Sequence, residues 1–343
     1  MDNDEFFKAT VPSNIAFLKY WGKKDEAHQW AANNSISMTL SHCVTETIAH
    51  KIDAEDHKFY FNDTFMSREH SFAQKTYQHL DRISEQLGTE QKLLIKSKNH
   101  FPSGCGIASS ASGMGALTLA SLAALKNSKT FADLNNSGYS KRTLSQLARL
   151  GSGSSCRSFW GGFVKWDIGP SYDHQKTDQV FDQNHWELWD IIILFSTQEK
   201  SISSSKAHLS AWTSPIFEKR LAEIKKKEET FLEAITSKDS ELFGRLLEDE
   251  ALEMHEVMQT STPPARYLLK ESHDFISWLQ KTRETYNIKA YFTIDAGPNI
   301  HIICEGEHKD ALLEKLALDL PHVSYLVDKV GKGPSLEVYN ERT

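Results

Sequence analysis

Apolar and polar positions divide the chain into short alternating runs and longer helical ones. Residues 9–23, ATVPSNIAFLKYWGK, open on a proline-containing turn and pass into an apolar strand or short helix. That segment ends in two lysines four apart, two aromatics and a glycine. NNSISMTL (33–40) alternates as a strand and leads into CVTETIAHKI, so the two are expected as paired strands. HKFYFND reads as a short aromatic strand closed by Asn-Asp turn chemistry. Phe72, Tyr77, Leu80 and Ile83 recur at helical spacing over 71–87, with Lys75 and Arg82 on other faces and Gly88 as the stop. Another strand covers 93–97, and 99–103 turns the chain into FPSGCGIASSASGMG (101–115), followed by the apolar run 116–125. A loop feeding a buried helix is the expected result.

Beyond it, 143–150 is expected as a short helix and 159–166, FWGGFVKW, as an aromatic strand whose glycines permit a bulge or close backbone approach. The polar, turn-rich stretch 169–187 marks a boundary, which divides the chain into units at 1–184 and 185–343. LWDIIILF (188–195) has the near-continuous apolar character of a buried strand. Helices are expected over 215–235, 240–258 and 265–286, and the charge run 225–229 as a solvated helix face. AYFTIDAGPNIHII (290–303) reads as strand, tight turn and strand, and VSYLVDKV adds a last strand before a Gly-Lys-Gly-Pro turn.

Length and composition narrow the function. The 343 residues allow two domains, and 25% charged with 39% hydrophobic residues is the balance of a globular protein. No apolar run approaches the roughly 20 residues needed to span a bilayer. The acidic start MDNDEFFKAT shows no basic-then-apolar leader, so a cytoplasmic home is the expectation. A net charge of -7 gives no global support to nucleic-acid or anionic-membrane partners, so an anionic substrate needs a local basic pocket. Cys43, Cys105, Cys156 and Cys304 form no CxxC pair and read as small buried fillers, and the 15 histidines show neither HxxxH nor HExxH spacing.

Three stretches carry candidate chemistry. Four glycines and four serines in 101–115 let backbone N–H groups approach an anion at a helix N-terminus; a phosphate cradle and a small-residue turn for close packing both fit. GSGSSCRS (151–158) is a second small-residue loop, and its Arg157 suits forked hydrogen bonds to phosphate or carboxylate. Asp295, at the mouth of the turn in 290–303, is costly to bury unless it is hydrogen-bonded or employed; an Asx cap is the alternative. Lys19 and Lys23 could hold a polyanion or simply snorkel along apolar surface.

Taken together, NIAFLKYWGK, FPSGCGIASSASG, GSGSSCRSFWGGFVKW and FTIDAGPN stand in the order found in the diphosphomevalonate decarboxylases, and the chain resembles that family of the GHMP kinase superfamily from about residue 9 to 304. The resemblance implies an α+β fold, with a ribosomal-protein-S5-like N-terminal domain, a ferredoxin-like C-terminal domain and the active site between them. It implies ATP and Mg²⁺ as cofactors, mevalonate 5-diphosphate as substrate, isopentenyl diphosphate as product and a homodimer. By the same resemblance Asp295, Arg157, Lys19 and Ser110 are catalytic. Tyr20, Trp21, Gly22, Lys23, Lys75, Ser152, Gly153, Ser154, Ser155, Cys156, Arg157 and Thr213 match substrate-binding positions. Ser97, Asn99, Pro102, Gly104, Cys105, Gly106, Ala108, Ser109 and Ser110 match the nucleotide site, and no metal ligand is assigned.

The chain departs from the family pattern in places. Ser103-Gly104-Cys105 and Ile107 keep the loop small, Trp30-Ala31 stands for a common Leu-Pro pair, and Lys206-Ala207-His208 replaces a Gly-Met ending. These changes bear on substrate more than on reaction class. A mevalonate monophosphate decarboxylase, a mevalonate 3-kinase and a non-catalytic ligand-binding relative are the competing readings, the last of which predicts damage to the catalytic set.

Overall fold

The computed structural model describes residues 5–102, 109–195 and 204–339, which form an α+β fold on two large sheets and one two-stranded ribbon. The first half of the chain supplies β1 (Phe6–Leu18), β2 (Lys23–Asp25), β3 (Trp30–Ala31), β4 (Ser35–Ile52), β5 (Lys58–Phe61), β6 (Thr64–Met66), α1 (Gln74–Leu87), β7 (Lys92–Asn99), α2 (Ser109–Lys126), α3 (Phe131–Asn136), α4 (Lys141–Gly151), β8 (Phe163–Asp167) and β9 (Lys176–Phe181). The rest supplies β10 (Leu188–Leu194), α5 (Ser204–Ser210), α6 (Phe217–Ser237), α7 (Ser240–Thr260), α8 (Lys270–Tyr286), β11 (Ala290–Thr293), β12 (Ile300–Glu305), α9 (Gly306–Asp319), β13 (Ser324–Lys329) and β14 (Ser335–Tyr339). No helix among the described residues is long and apolar enough to cross a membrane.

The larger sheet has eight strands, in the order β14-β1-β4-β7-β5-β6, with β8 and β9 branching from the first part of β4. Among the described residues, only its β5–β7 pairing is parallel. Its core faces α1, α2 and α4 through Val11, Phe59, Ile95, Leu117 and Leu147, all buried. Helix α2 lies very close to β1, since a Cβ on Gly115 would sit 2.9 Å from Val11 Cγ1. That closeness is why the run after the glycine-serine stretch is small as well as apolar.

The smaller sheet, β11-β12-β10-β13, is antiparallel throughout. One face packs on α8 and α9 through Phe275, Leu279, Leu312 and Ile302. The other joins the first unit, where Ile15, Phe17 and Leu40 meet Ile192, Phe231 and Phe243 in one cluster. Strand β14 then leaves this second unit and pairs with β1, from Phe6↔Tyr339 to Thr10↔Ser335.

Several local expectations are corrected. Residues 33–52 do not form two strands: β4 is continuous, and Asp328 from β13 accepts the backbone N–H groups of Ser41, His42 and Cys43 where a turn was expected. A carboxylate from the other unit thus satisfies the donors that a turn would have used. Pro12 lies inside β1, at a bulge past the end of the β14 pairing, where its missing N–H costs no ladder bond. The aromatic strand at 159–166 shortens to β8, because Gly162 has φ +69 and turns the chain ahead of it. The run 225–229 is not wholly solvated: Glu228 is buried and pairs with Lys165 and Asn34 of the first unit, and Lys227 pairs with Glu250 and Glu253.

Candidate active site

Where the two units meet, a cleft of about 510 Å³ is lined by side chains from the end of β1, from α1, from the start and end of the α2–α4 region and from the turn after β11. Strand β1 delivers Lys19 to its floor. The side chain is 1% exposed, and Nζ donates to Asp295 Oδ1 at 2.6 Å. The Lys19 backbone is fixed as well: its N–H donates to Glu250 Oε1 at 3.0 Å, and its carbonyl accepts from Arg220 and Asn33. Arg220 is wholly buried between Glu250, Glu253 and that carbonyl, so an ionic lattice on α6 and α7 holds the end of β1 in place.

Asp295 faces the cleft with 25% of its side chain exposed, and its backbone carbonyl accepts from His255 Nε2 at 3.1 Å. Burial alone pushes its carboxyl up, but the Lys19 ammonium, with His301 and Arg157 behind it, outweighs burial and holds it below the ordinary carboxylate range. Burial pushes the Lys19 ammonium down, and Asp295 opposes that shift. Asp295 is therefore an ionised carboxylate at neutral pH, already paired with a cation. Burial also neutralises His255, whose value falls to about 4.

Arg157 projects from a 3-10 turn, Gly153–Phe159, and is 3% exposed. Nε and Nη2 donate to Asn14 Oδ1 at 3.0 and 2.8 Å, while Nη1 donates to Ser35 Oγ at 2.8 Å. Asn14 in turn donates to Ser158 Oγ at 2.8 Å, so β1 and the turn fix the guanidinium from both sides. In the same turn Ser152, Gly153 and Ser154 line the cleft. Ser155 and Cys156 instead close the turn, donating to the carbonyls of Ser152 and Gly153. Ser152 Oγ donates to Ser110 Oγ at 3.2 Å, which ties this loop to the described start of α2, where Ser109 and Ser110 line the cleft.

Tyr20, Trp21 and Lys23 line the same space. Gly22 has φ +80, and a Cβ there would overlap the Phe217 ring, so only glycine makes this turn. The buried hydroxyl of Tyr20 finds no partner among the described residues. Lys23 is depressed by burial, with Lys75 adding repulsion and Glu26 opposing it. An orphaned hydroxyl near the Arg157 guanidinium, in a cleft whose lining also includes Lys23 and Lys75, fits an oxyanion ligand such as a diphosphate. Among the described residues no three His, Cys, Asp or Glu side chains gather to hold a metal. Hard oxygen donors on the walls, Asp295 and Ser110, fit Mg²⁺ only alongside phosphate oxygens.

Not every expected residue reaches the cleft. Thr213 is exposed, and its hydroxyl donates to the Ser210 carbonyl at 2.6 Å and accepts from Thr262 N–H. Ser97 and Asn99 lie on β7, bonded to Thr47 and Thr45, and Thr45 meets Ser112 of α2 at 2.7 Å. Pro102 is exposed just ahead of α2, and Gly104, Cys105, Gly106 and Ala108 lie outside the described residues. His208, expected near substrate as part of the Lys206-Ala207-His208 departure, lines the cleft, and so do Gln78, Arg82, Glu26 and Met254, which were not assigned to the site. Lys75, Gln78 and Arg82 stand at i, i+3 and i+7 on α1, a polar stripe that the helical spacing already carried.

Comparison with known proteins agrees along the whole chain. Residues 11–178 match the diphosphomevalonate decarboxylase-like N-terminal domain, and residues 190–339 the mevalonate 5-diphosphate decarboxylase C-terminal domain. Diphosphomevalonate decarboxylase of Candida albicans is 32% identical over 330 residues, 92% of this chain and 88% of that one. A solved complex of MDDEF with MVAPP, AMPPCP and magnesium is similar with a TM-score of 0.86 at 31% identity, over 98% of this chain and 99% of its own. Mevalonate diphosphate decarboxylase from Staphylococcus aureus gives a TM-score of 0.86 at 32% identity, over 98% of both chains. With two family models spanning the chain and an ionised acid, a buried guanidinium and an ammonium converging where those models meet, the chain belongs to the diphosphomevalonate decarboxylase family.

Proposed function

We propose that the protein catalyses the ATP-dependent decarboxylation of mevalonate 5-diphosphate to isopentenyl diphosphate, with ADP, phosphate and carbon dioxide released. The observation that carries this reading is the Lys19–Asp295 pair at 2.6 Å in the same cleft as Arg157 and the serines of α2. A tertiary alcohol is a poor nucleophile, so position and local charge must supply most of the acceleration. Asp295 orients the hydroxyl and accepts its proton as the oxygen takes the γ-phosphoryl group and ADP leaves. The C–O bond of the new phosphate ester then breaks with its electron pair going to the departing phosphate, and the C–C bond to the carboxylate breaks as carbon dioxide leaves, its pair moving toward the cationic carbon to form the double bond. Asp295 faces the carbon that becomes positive, while Arg157 holds the carboxylate until it departs. Lys19 keeps Asp295 ionised. Lys23, Lys75, Tyr20 and Ser152–Ser154 hold the diphosphate, and Ser109 and Ser110 face the nucleotide. Asp295 and Ser110 are the oxygen donors on the cleft wall that would lie beside magnesium, which when bound would neutralise the charge of the triphosphate.

The N-terminal unit 1–184 is assigned the nucleotide and substrate loops, and 185–343 the catalytic Asp; the matched spans 11–178 and 190–339 support that division. The same reading carries a cytoplasmic homodimer in isoprenoid biosynthesis, for which family resemblance is the support. Incubating the purified protein with ATP, Mg²⁺ and, in turn, mevalonate, its monophosphate and its diphosphate tests the proposal. Carbon dioxide and isopentenyl diphosphate are expected from the diphosphate alone. Turnover of the monophosphate only, or ADP without carbon dioxide, refutes it.

A further inference from the structure

One side chain in the cleft wall has no part in the chemistry above yet grips the segment that does. His208, on α5, is buried and lines the cleft. Its Nδ1 accepts the Gly22 N–H at 3.1 Å, a bond between residues 186 apart in the chain. The same ring stacks on Tyr20, with centroids 4.4 Å apart and planes at 26°, and lies against Trp21 at 4.2 Å and 32°. Three consecutive residues of the first unit are thus held by one imidazole of the second.

The physics of that grip is specific. An accepting Nδ1 fixes the neutral tautomer with its proton on Nε2, so the ring contributes shape and hydrogen bonding but no charge. Gly22 is the most conformationally free residue of the segment, and its N–H is otherwise a buried donor in need of a partner. Lys19 anchors one end of the segment through Asp295, and Lys23 stands at the other. What lies between them sets where the Tyr20 hydroxyl and the Lys23 ammonium meet an anion.

We infer that His208 is a substrate-positioning residue: by holding Tyr20, Trp21 and Gly22 it presets the pocket that takes the phosphate end of the substrate. This inference rests on the reaction proposed above.

The test compares the native enzyme with H208N, whose amide oxygen can replace Nδ1, and with H208L and H208Q, which place no acceptor there. Steady-state kinetics with ATP and mevalonate 5-diphosphate are combined with calorimetric binding of mevalonate 5-diphosphate. H208L and H208Q are expected to raise the KM and Kd for the diphosphate roughly tenfold, with kcat within about threefold and the KM for ATP within about twofold. H208N is expected to stay within about threefold of native in KM. A merely structural role would lower folded fraction and kcat without splitting the two KM values or favouring Asn over Gln. Native turnover with an unchanged diphosphate KM in H208L and H208Q overturns the inference and leaves the reaction standing, as does equal impairment of H208N and H208Q. A native protein that neither binds nor turns over mevalonate 5-diphosphate overturns both. If H208L does not fold, the Asn and Gln variants give the same decision.

Discussion

Replacing Lys19 with methionine removes an ammonium while leaving its surroundings nearly intact, because the Lys19 backbone remains bonded to Glu250 and Arg220. Loss of one partner from a buried ion pair costs about 3–5 kcal/mol, chiefly through the uncompensated charge left behind. Asp295 keeps 25% of its side chain in contact with water, so the low end, about 3 kcal/mol, applies at neutral pH. The sign with pH follows from Asp295. In the native protein its carboxyl is held below the ordinary value, so its stabilising contribution is present above the unfolded value of about 3.9 and is lost as pH falls through the depressed folded value. Without Lys19, burial is opposed only by His301 and Arg157, so the carboxyl rises relative to the native protein, and an ionised Asp295 then costs the variant stability at neutral pH but not once it is protonated. Urea unfolding of native and K19M from pH 7 to pH 4 should therefore show a gap of about 3 kcal/mol that closes toward the acid end. The double variant K19M/D295N should recover more than half of the loss at pH 7. At the same time kcat should fall about 10²- to 10³-fold, the usual effect of removing one preorganised charged group. A pH-independent gap, or a double variant no more stable than K19M, would falsify the pairing argument.

Arg157→Lys keeps the charge but cannot donate to both Asn14 and Ser35; decarboxylation measured by carbon dioxide release should fall about 100-fold, with ATP binding unchanged. Gly22→Ala should lower stability by about 1–3 kcal/mol in thermal unfolding, since φ +80 and the Phe217 ring both oppose a Cβ. Asp190 and His301 are joined at 2.7 Å between side chains 0% and 1% exposed, and burial pushes the Asp190 carboxyl up against the opposing pull of His301; Asp190→Ala, which leaves a buried imidazole nitrogen without its partner, should cost about 1–3 kcal/mol in urea unfolding, and an unchanged stability refutes the contribution of that hydrogen bond.

Much of the site was legible because its motifs are contiguous. Lys19 to Lys23, Ser152 to Arg157 and Asp295 each sit at the end of a strand or in a tight turn, and turn chemistry is local. What escaped the sequence depends on partners far away. Ser41 and His42 look like a break between two strands only until Asp328, 287 residues from Ser41, takes up their N–H groups. Glu228 looks like one more charge on a wet helix until Lys165 and Asn34 arrive from the other unit. His208 was visible only as part of a departure from the family pattern; its contacts to Tyr20, Trp21 and Gly22 are created by folding alone. Arg82 was the nearest miss. Its spacing from Lys75 and Gln78 was readable, but not that this stripe would face a cleft rather than solvent.

The pairing of β14 with β1 bears on how the polypeptide reaches its native form. During synthesis on the ribosome, β1 emerges early, whereas Ser335–Tyr339, which seals one of its edges, is translated more than 300 residues later. Until then that edge offers unpaired N–H and C=O groups to any neighbouring nascent chain. Closing so long a loop is entropically slow, so the first unit matures only after translation has passed through the second, and a protein built as two successive halves completes its assembly as one.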